Sequence, residues 1–172
     1  MRVLIERKIL LSWFAVIGLS ACASGYQVSD GAETALVTFE KGYLDGLGFG
    51  KSTSQQYNTP THSDGCNDPE LLANFTWTGP PSKTKEIEAG KLITIAAVTI
   101  DYDVSAGANQ IVTEQSIACR SRVTFLPVSG ETYRMKLVES TKRTCRLEFV
   151  NTQTNTVPEN AKVEDKYSCL VP

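Results

Sequence analysis

From Thr34 onward the apolar residues of this chain recur at every second position, and that period decides what it can fold into. Ala35, Val37 and Phe39 alternate with Thr34, Thr38 and Glu40, which turns one side of an extended segment to a core and the other to water. The pattern returns in Asn74–Thr78, Lys83–Glu88, Lys91–Asp101, Ile111–Phe125, Thr132–Ser140, Thr144–Val150 and Val163–Leu170. Gly79-Pro80-Pro81, Ala89-Gly90, Pro127 with Gly130, and Thr141-Lys142-Arg143 punctuate the segments as turns. Seven to nine short strands spaced this way predict an all-β fold, an antiparallel sandwich or small barrel. Gly42–Gly50 is too rich in glycine for the interior of an element. Lys51–Pro69 reads as a long polar excursion, Asn151–Asn160 as a Thr/Asn-rich loop, and Glu70–Phe75 as one turn of helix.

The first 21 residues obey a different rule. Arg2, Arg7 and Lys8 precede Ile9–Leu19, an apolar run of 11 residues, whereas a membrane-spanning helix needs roughly 20. This is the composition of a removable export-signal helix. Leu19-Ser20-Ala21-Cys22 resembles the lipobox of bacterial lipoproteins. The resemblance implies cleavage before Cys22 and lipidation of its thiol and amine, palmitate-type chains that anchor a protein stably. Ala23 after the cysteine, where that family often carries Asp to retain a protein at the inner membrane, implies the outer membrane, facing the periplasm or the cell surface. Ala21-Cys22-Ala23 also fits the small-x-small site of an ordinary secretory signal. A second resemblance covers about a third of the chain. Ala89-Gly90-Lys91 through Cys119, Phe125-Leu126-Pro127 with Gly130 and Tyr133, and Cys145 are similar to a pattern in small uncharacterised proteobacterial lipoproteins. It implies a β-sandwich of immunoglobulin- or transthyretin-like architecture and nothing about activity. The expected organisation is thus a signal peptide over 1–21, a flexible tether over 22–33 and one sandwich domain over 34–172.

Cysteine usage points to export as well. With Cys22 set aside, Cys66, Cys119, Cys145 and Cys169 remain, an even number that suggests two disulfides in an oxidising compartment. No C-x-x-C spacing occurs and His62 is the sole histidine, so no metal site is expected. Of three connectivities, Cys66–Cys119 with Cys145–Cys169 is preferred. Cys145-Leu147-Phe149 and Asp165-Tyr167-Cys169 share parity about a polar connection and suit a hairpin.

Charge narrows the partners. Removing Met1–Ala21 leaves 14 basic and 18 acidic side chains, a net of −4, so nucleic acid is not expected. Parity along the last strands puts Cys119, Val123, Phe125, Tyr133, Met135, Leu137, Cys145, Leu147 and Phe149 toward the core. The opposite parity presents Arg120, Arg122, Arg134, Lys136 and Arg146, five cations expected on one sheet face if the three strands are neighbours. Such a face would suit an anionic surface polymer or an acidic envelope protein. The competing reading is a solvated face paired locally with Glu131, Glu139 or Glu148.

Catalysis finds little footing. Any Ser–His or Cys–His arrangement must use His62, and no G-x-S-x-G elbow occurs. Asp64, Asp68 and Glu70 are oxygen ligands close in sequence, but their spacing lacks the EF-hand pattern and suits an ordinary turn. Gly46-x-Gly48-x-Gly50 lacks the lysine and following helix of a phosphate loop. Asn74-Phe75-Thr76 matches a glycosylation sequon by chance, and Trp77 is expected in the core. The expectation is a non-catalytic envelope lipoprotein, a binding or structural module without cofactor. The alternative is a periplasmic inhibitor or immunity lipoprotein that blocks a hydrolase or toxin through a protruding loop such as Lys51–Glu70.

Overall fold

The period-two segments form nine strands in a computed structural model that describes residues 25–42, 51–59, 70–106, 111–139 and 145–165. They are β1 (Thr34–Glu40), β2 (Lys51–Thr59), β3 (Glu70–Phe75), β4 (Ser82–Glu88), β5 (Ile93–Ala106), β6 (Ile111–Phe125), β7 (Thr132–Glu139), β8 (Cys145–Asn151) and β9 (Lys162–Glu164). No helix occurs among the described residues. Strands β4-β1-β7-β8 make one sheet and β3-β2-β5-β6-β9 the other. The two pack as a sandwich. All pairings between these named strands are antiparallel except β1 with β7, which run parallel.

Two sequence expectations change here. Lys51–Thr59 is a strand, because its Thr, Ser, Gln and Tyr residues pair with β5 from Lys51↔Asp103 to Asn58↔Ala96. Glu70–Phe75 is also a strand, bulged opposite Tyr57/Asn58. Polarity alone hid the first, since its core-facing positions are Gln55 and Tyr57, both fully buried. Trp77 lies in the β3–β4 connection and is 58% exposed, not in the core. The Lys41 ammonium holds that connection, donating to the Trp77 carbonyl at 3.1 Å and the Gly79 carbonyl at 2.9 Å. Lys83 points inward from edge strand β4, donates to the Asn74 carbonyl at 2.7 Å and lies over the Phe75 ring. An inward charge of this kind guards a sheet edge against further pairing.

The residues that parity turns inward form the core, joined by Tyr57 of β2, where a polar excursion is expected. Val37, Phe39, Ile87, Tyr133, Met135, Leu137 and Phe149 come from one sheet; Tyr57, Phe75, Ile95, Val123 and Phe125 come from the other, all essentially inaccessible. Rings meet across the gap, Phe125 with Phe149 at 4.6 Å and Phe39 with Tyr57 at 4.9 Å between centroids. Such pairs add about 0.5–1.5 kcal/mol to the area they bury.

A disulfide also joins the sheets. Cys119 on β6 bonds Cys145, the first residue of β8, with their Cα atoms 5.7 Å apart. This replaces the expected Cys66–Cys119 and Cys145–Cys169 pairing. Both half-cystines face the core, but from opposite sheets, so they meet across it instead of along a hairpin. Ala118 is the extra residue that sets the register: Thr99 pairs with Cys119 and Ile100 with Ile117. Cys66 and Cys169 lie outside the described residues.

Residues 25–33, expected to be part of a tether, are laid against the domain. Gly25 bridges Leu71, the Tyr26 hydroxyl accepts the Glu88 N–H at 2.9 Å, and the Ser29 N–H donates to the Glu88 carboxylate at 2.9 Å. Tyr26 packs on the core rim, giving this stretch an apolar anchor.

Candidate functional site

The β6–β7 connection, Leu126–Glu131, decides where the five cations go. Gly130, at φ 75°, makes its turn; its N–H donates to the Thr34 carbonyl, while the Pro127 carbonyl takes the Gly90 N–H. The chain therefore crosses from one sheet to the other instead of turning back within one. Arg120 and Arg122 project from the five-stranded sheet; Arg134, Lys136 and Arg146 project from the four-stranded one. The single five-cation face is not formed. The parity assignment holds, but the assumed adjacency of three strands does not.

Each of these three cations on the four-stranded sheet meets acid. Lys136 is cross-strand to Glu40 on β1 and to Glu148 on β8. Arg134 approaches the Glu40 carboxylate at 3.8 Å, and Arg146 pairs with Glu148. Opposite charges in cross-strand positions stabilise a sheet by about 0.2–1 kcal/mol per pair. On the other sheet Arg122 pairs with Glu164 of β9, and Lys162 reaches the same carboxylate at 3.0 Å. Arg122 first, and Lys162 with it, hold the Glu164 carboxyl below its ordinary range. Of the acids expected to pair with them, Glu148 does so with Arg146, whereas Arg134 turns to Glu40 and Arg122 to Glu164.

A groove does open beside β8, with a volume of about 530 Å³. Phe149, Val150, Val157, Ala161 and Val163 give it apolar walls, while Arg134, Arg146, Glu148 and Asp165 stand at its rim. Thus two of the singled-out cations reach it, and the wall residues from the loop after β8 carry no sequence signal beyond isolated apolar positions. Two N–H groups along the edge of β8 are already taken. The Asp165 carboxylate accepts the Leu147 N–H at 3.2 Å, and the Thr156 carbonyl accepts the Asn151 N–H at 2.9 Å. Asp165 also lies 3.3 Å from the Ser121 hydroxyl of the opposite sheet. Arg146 is held by Glu148 and Arg134 stands 3.8 Å from Glu40, so the rim is a mixed-charge one whose guanidinium N–H groups beyond those pairs match carboxylate or phosphate oxygens.

A smaller pocket of about 230 Å³ lies where residues 25–29 meet the domain, lined by Tyr26, Glu70, Glu88 and Lys91 among others. Lys91 lies 2.6 Å from the Glu88 carboxylate and, with the Ser29 hydrogen bond, holds that carboxyl down to about 2. Burial raises the Tyr26 hydroxyl, as it does Tyr133, which is pushed up to about 12 with help from its bond to Glu131. Among the described residues, no three His, Cys, Asp or Glu side chains gather as metal ligands would. Cys22, His62, Asp64 and Asp68 lie outside them; Glu70 begins β3 and lines the smaller pocket. No protein-family model matches the chain, and neither does any curated protein or solved structure.

Proposed function

We propose that this chain is a non-catalytic envelope lipoprotein, anchored at the outer membrane through Cys22, whose sandwich binds an anionic envelope partner in the groove beside β8. The observation that supports this reading is the combination of apolar walls with the two guanidinium groups of Arg134 and Arg146 at one rim. An acyl or peptide portion fits the walls, and a carboxylate or phosphate fits the guanidinium donors. Co-sedimentation of the protein with isolated peptidoglycan sacculi, and with vesicles containing lipopolysaccharide, tests it. Arg134→Glu combined with Arg146→Glu lowers retention at least tenfold, while Arg120→Glu on the other sheet leaves it unchanged. Retention on neither polymer, or retention indifferent to the double change, counts against the reading.

The alternative, an inhibitor or immunity lipoprotein that blocks a hydrolase or toxin, draws on a different feature. Among the described residues β2 pairs with β5 no further than Asp103, whereas β5 and β6 pair on to Ala106↔Ile111, a two-stranded extension of the kind such a role needs. Inhibition of lysozyme or another envelope hydrolase by the purified protein separates the two readings.

A further inference from the structure

The edge of β8 leaves the main chain of one residue without a partner. The Leu147 N–H goes to Asp165 and the Asn151 N–H to the Thr156 carbonyl, while the Asn151 carbonyl accepts the Asn155 N–H at 2.8 Å. The Thr152 N–H turns the other way, to the Thr132 carbonyl. Main-chain groups of an antiparallel strand alternate in direction from residue to residue. Phe149, midway between Leu147 and Asn151, therefore turns its N–H and carbonyl away from β7. Its ring packs in the core against Phe125 and Tyr133, so what Phe149 offers the groove is its main chain. Among the described residues none bonds to either group. Little of Phe149 reaches water, so solvent does not supply the partners it gives an open edge. A screened main-chain N–H without a partner is rare in folded proteins.

We infer that the groove beside β8 takes a short extended peptide, which adds itself to this edge through Phe149. In antiparallel pairing a single peptide residue supplies both missing partners: its carbonyl accepts the Phe149 N–H, and its own N–H donates to the Phe149 carbonyl. The side chain of that residue falls on the same side as the Phe149 ring, toward the Ala161 and Val163 wall. Its two neighbours fall on the outer side, with Arg134, Arg146 and Glu148. There a peptide carboxylate meets guanidinium N–H groups beyond those turned to Glu40 and Glu148. The opening is short. Asp165 and Thr156 occupy the edge at Leu147 and Asn151, a span of roughly 13–14 Å along the strand, which admits about three extended residues. An acyl chain would fill the walls and leave the Phe149 groups unpaired, and a phosphate alone would reach only the rim. The inference rests on the groove reading above and narrows its occupant to a peptide, whether a segment of an envelope protein or the stem of peptidoglycan.

Titration of the nitrogen-15-labelled protein, followed by amide NMR, tests this. The probes are acetyl-Glu-Val-Glu amide, standing for a protein segment, and the tetrapeptide stem released from peptidoglycan. The expected result is saturable binding of at least one, with a downfield shift and slowed exchange of the Phe149 amide. Binding of the first alone assigns the occupant to a protein segment, and of the second alone to the cell wall. Methylating the nitrogen of the central residue, in whichever peptide binds, removes the donor for the Phe149 carbonyl and weakens binding at least tenfold without altering the protein. Arg134→Glu with Arg146→Glu weakens it to a similar degree, and Arg120→Glu leaves it unchanged. Binding of neither peptide overturns the inference, as does binding indifferent to N-methylation or a Phe149 amide that does not move. Retention on lipopolysaccharide vesicles that the double variant loses, without peptide binding, overturns the peptide and leaves the groove reading standing. Absence of both retention and peptide binding overturns the two together.

Discussion

The Tyr57 hydroxyl on β2 lies 2.9 Å from the Leu137 nitrogen on β7, so one side chain completes a backbone hydrogen bond across the sandwich. The same hydroxyl donates to the Glu40 carbonyl at 2.9 Å. Burial and the low polarity around it push the Tyr57 hydroxyl far above its ordinary range, so it stays protonated and able to donate. Tyr57→Phe keeps the ring contacts with Phe39 and Phe75 but strands two buried main-chain groups. The expected loss is about 1–3 kcal/mol, read as a lower urea midpoint with an unchanged m value. An undiminished midpoint shows that the hydroxyl contributes nothing across the sheets.

Gly42 stands next to this pin and is required by space. Its N–H donates to Gln55 Oε1 at 2.8 Å, and Gln55 in turn donates to the Leu137 carbonyl at 3.2 Å. A Cβ on Gly42 would sit 1.9 Å from that carbonyl oxygen. Gly42→Ala therefore displaces backbone, not a pliable side chain, and costs more than Tyr57→Phe. Thermal denaturation of the two variants ranks them; a Gly42→Ala protein as stable as the parent contradicts the geometry.

What could be read from the residues was whatever depends on local period. The alternation of Ala35, Val37 and Phe39, or of Tyr133, Met135 and Leu137, placed each on the buried face, and each is buried. Parity says nothing about which strands are neighbours. Arg120 and Arg134 therefore looked like members of one face although their strands belong to different sheets. The same ignorance of pairing hid Cys119–Cys145, whose partners are both core-facing but distant in topology. Gln55 and Tyr57 were missed because a polar strand buries its polar atoms only when the opposite sheet supplies hydrogen-bond partners. The groove walls Val157 and Ala161 belong to a loop without period, where no pattern can announce a surface.

The disulfide has a measurable stability contribution. Cys119 and Cys145 are separated by 26 residues, and closing a loop of that size removes about 3–4 kcal/mol of denatured-state entropy in the chain-entropy model. Replacing both by Ala lowers stability by about that amount, less whatever native-state adjustment recovers. Non-reducing peptide mapping checks the connectivity: a Cys119–Cys145 cross-linked peptide is expected, which leaves Cys66 and Cys169 as the remaining candidates for a bond. A Cys66–Cys119 peptide contradicts it.

Acid loosens residues 25–33 at the Glu88 contact. The Lys91 ammonium, and the Ser29 bond after it, hold the Glu88 carboxyl down to about 2 from an ordinary 4.5. A carboxyl with a depressed folded value contributes stability that is fully present above its unfolded pKa and disappears as pH falls through the folded one. The Glu88 contribution is accordingly intact at pH 6, declines below about 4.5 and is gone below about 2. Since Glu88 accepts the Ser29 N–H at 2.9 Å, its protonation releases that contact. The protection of the Ser29 amide, its exchange corrected for the intrinsic pH dependence, falls between pH 5 and pH 2 in the parent protein. In Glu88→Gln the protection loses that pH dependence, and added salt weakens the pH effect in the parent, because the pair lies at the surface. A Glu88 carboxyl that titrates at its ordinary value in the folded protein would remove the basis for this behaviour.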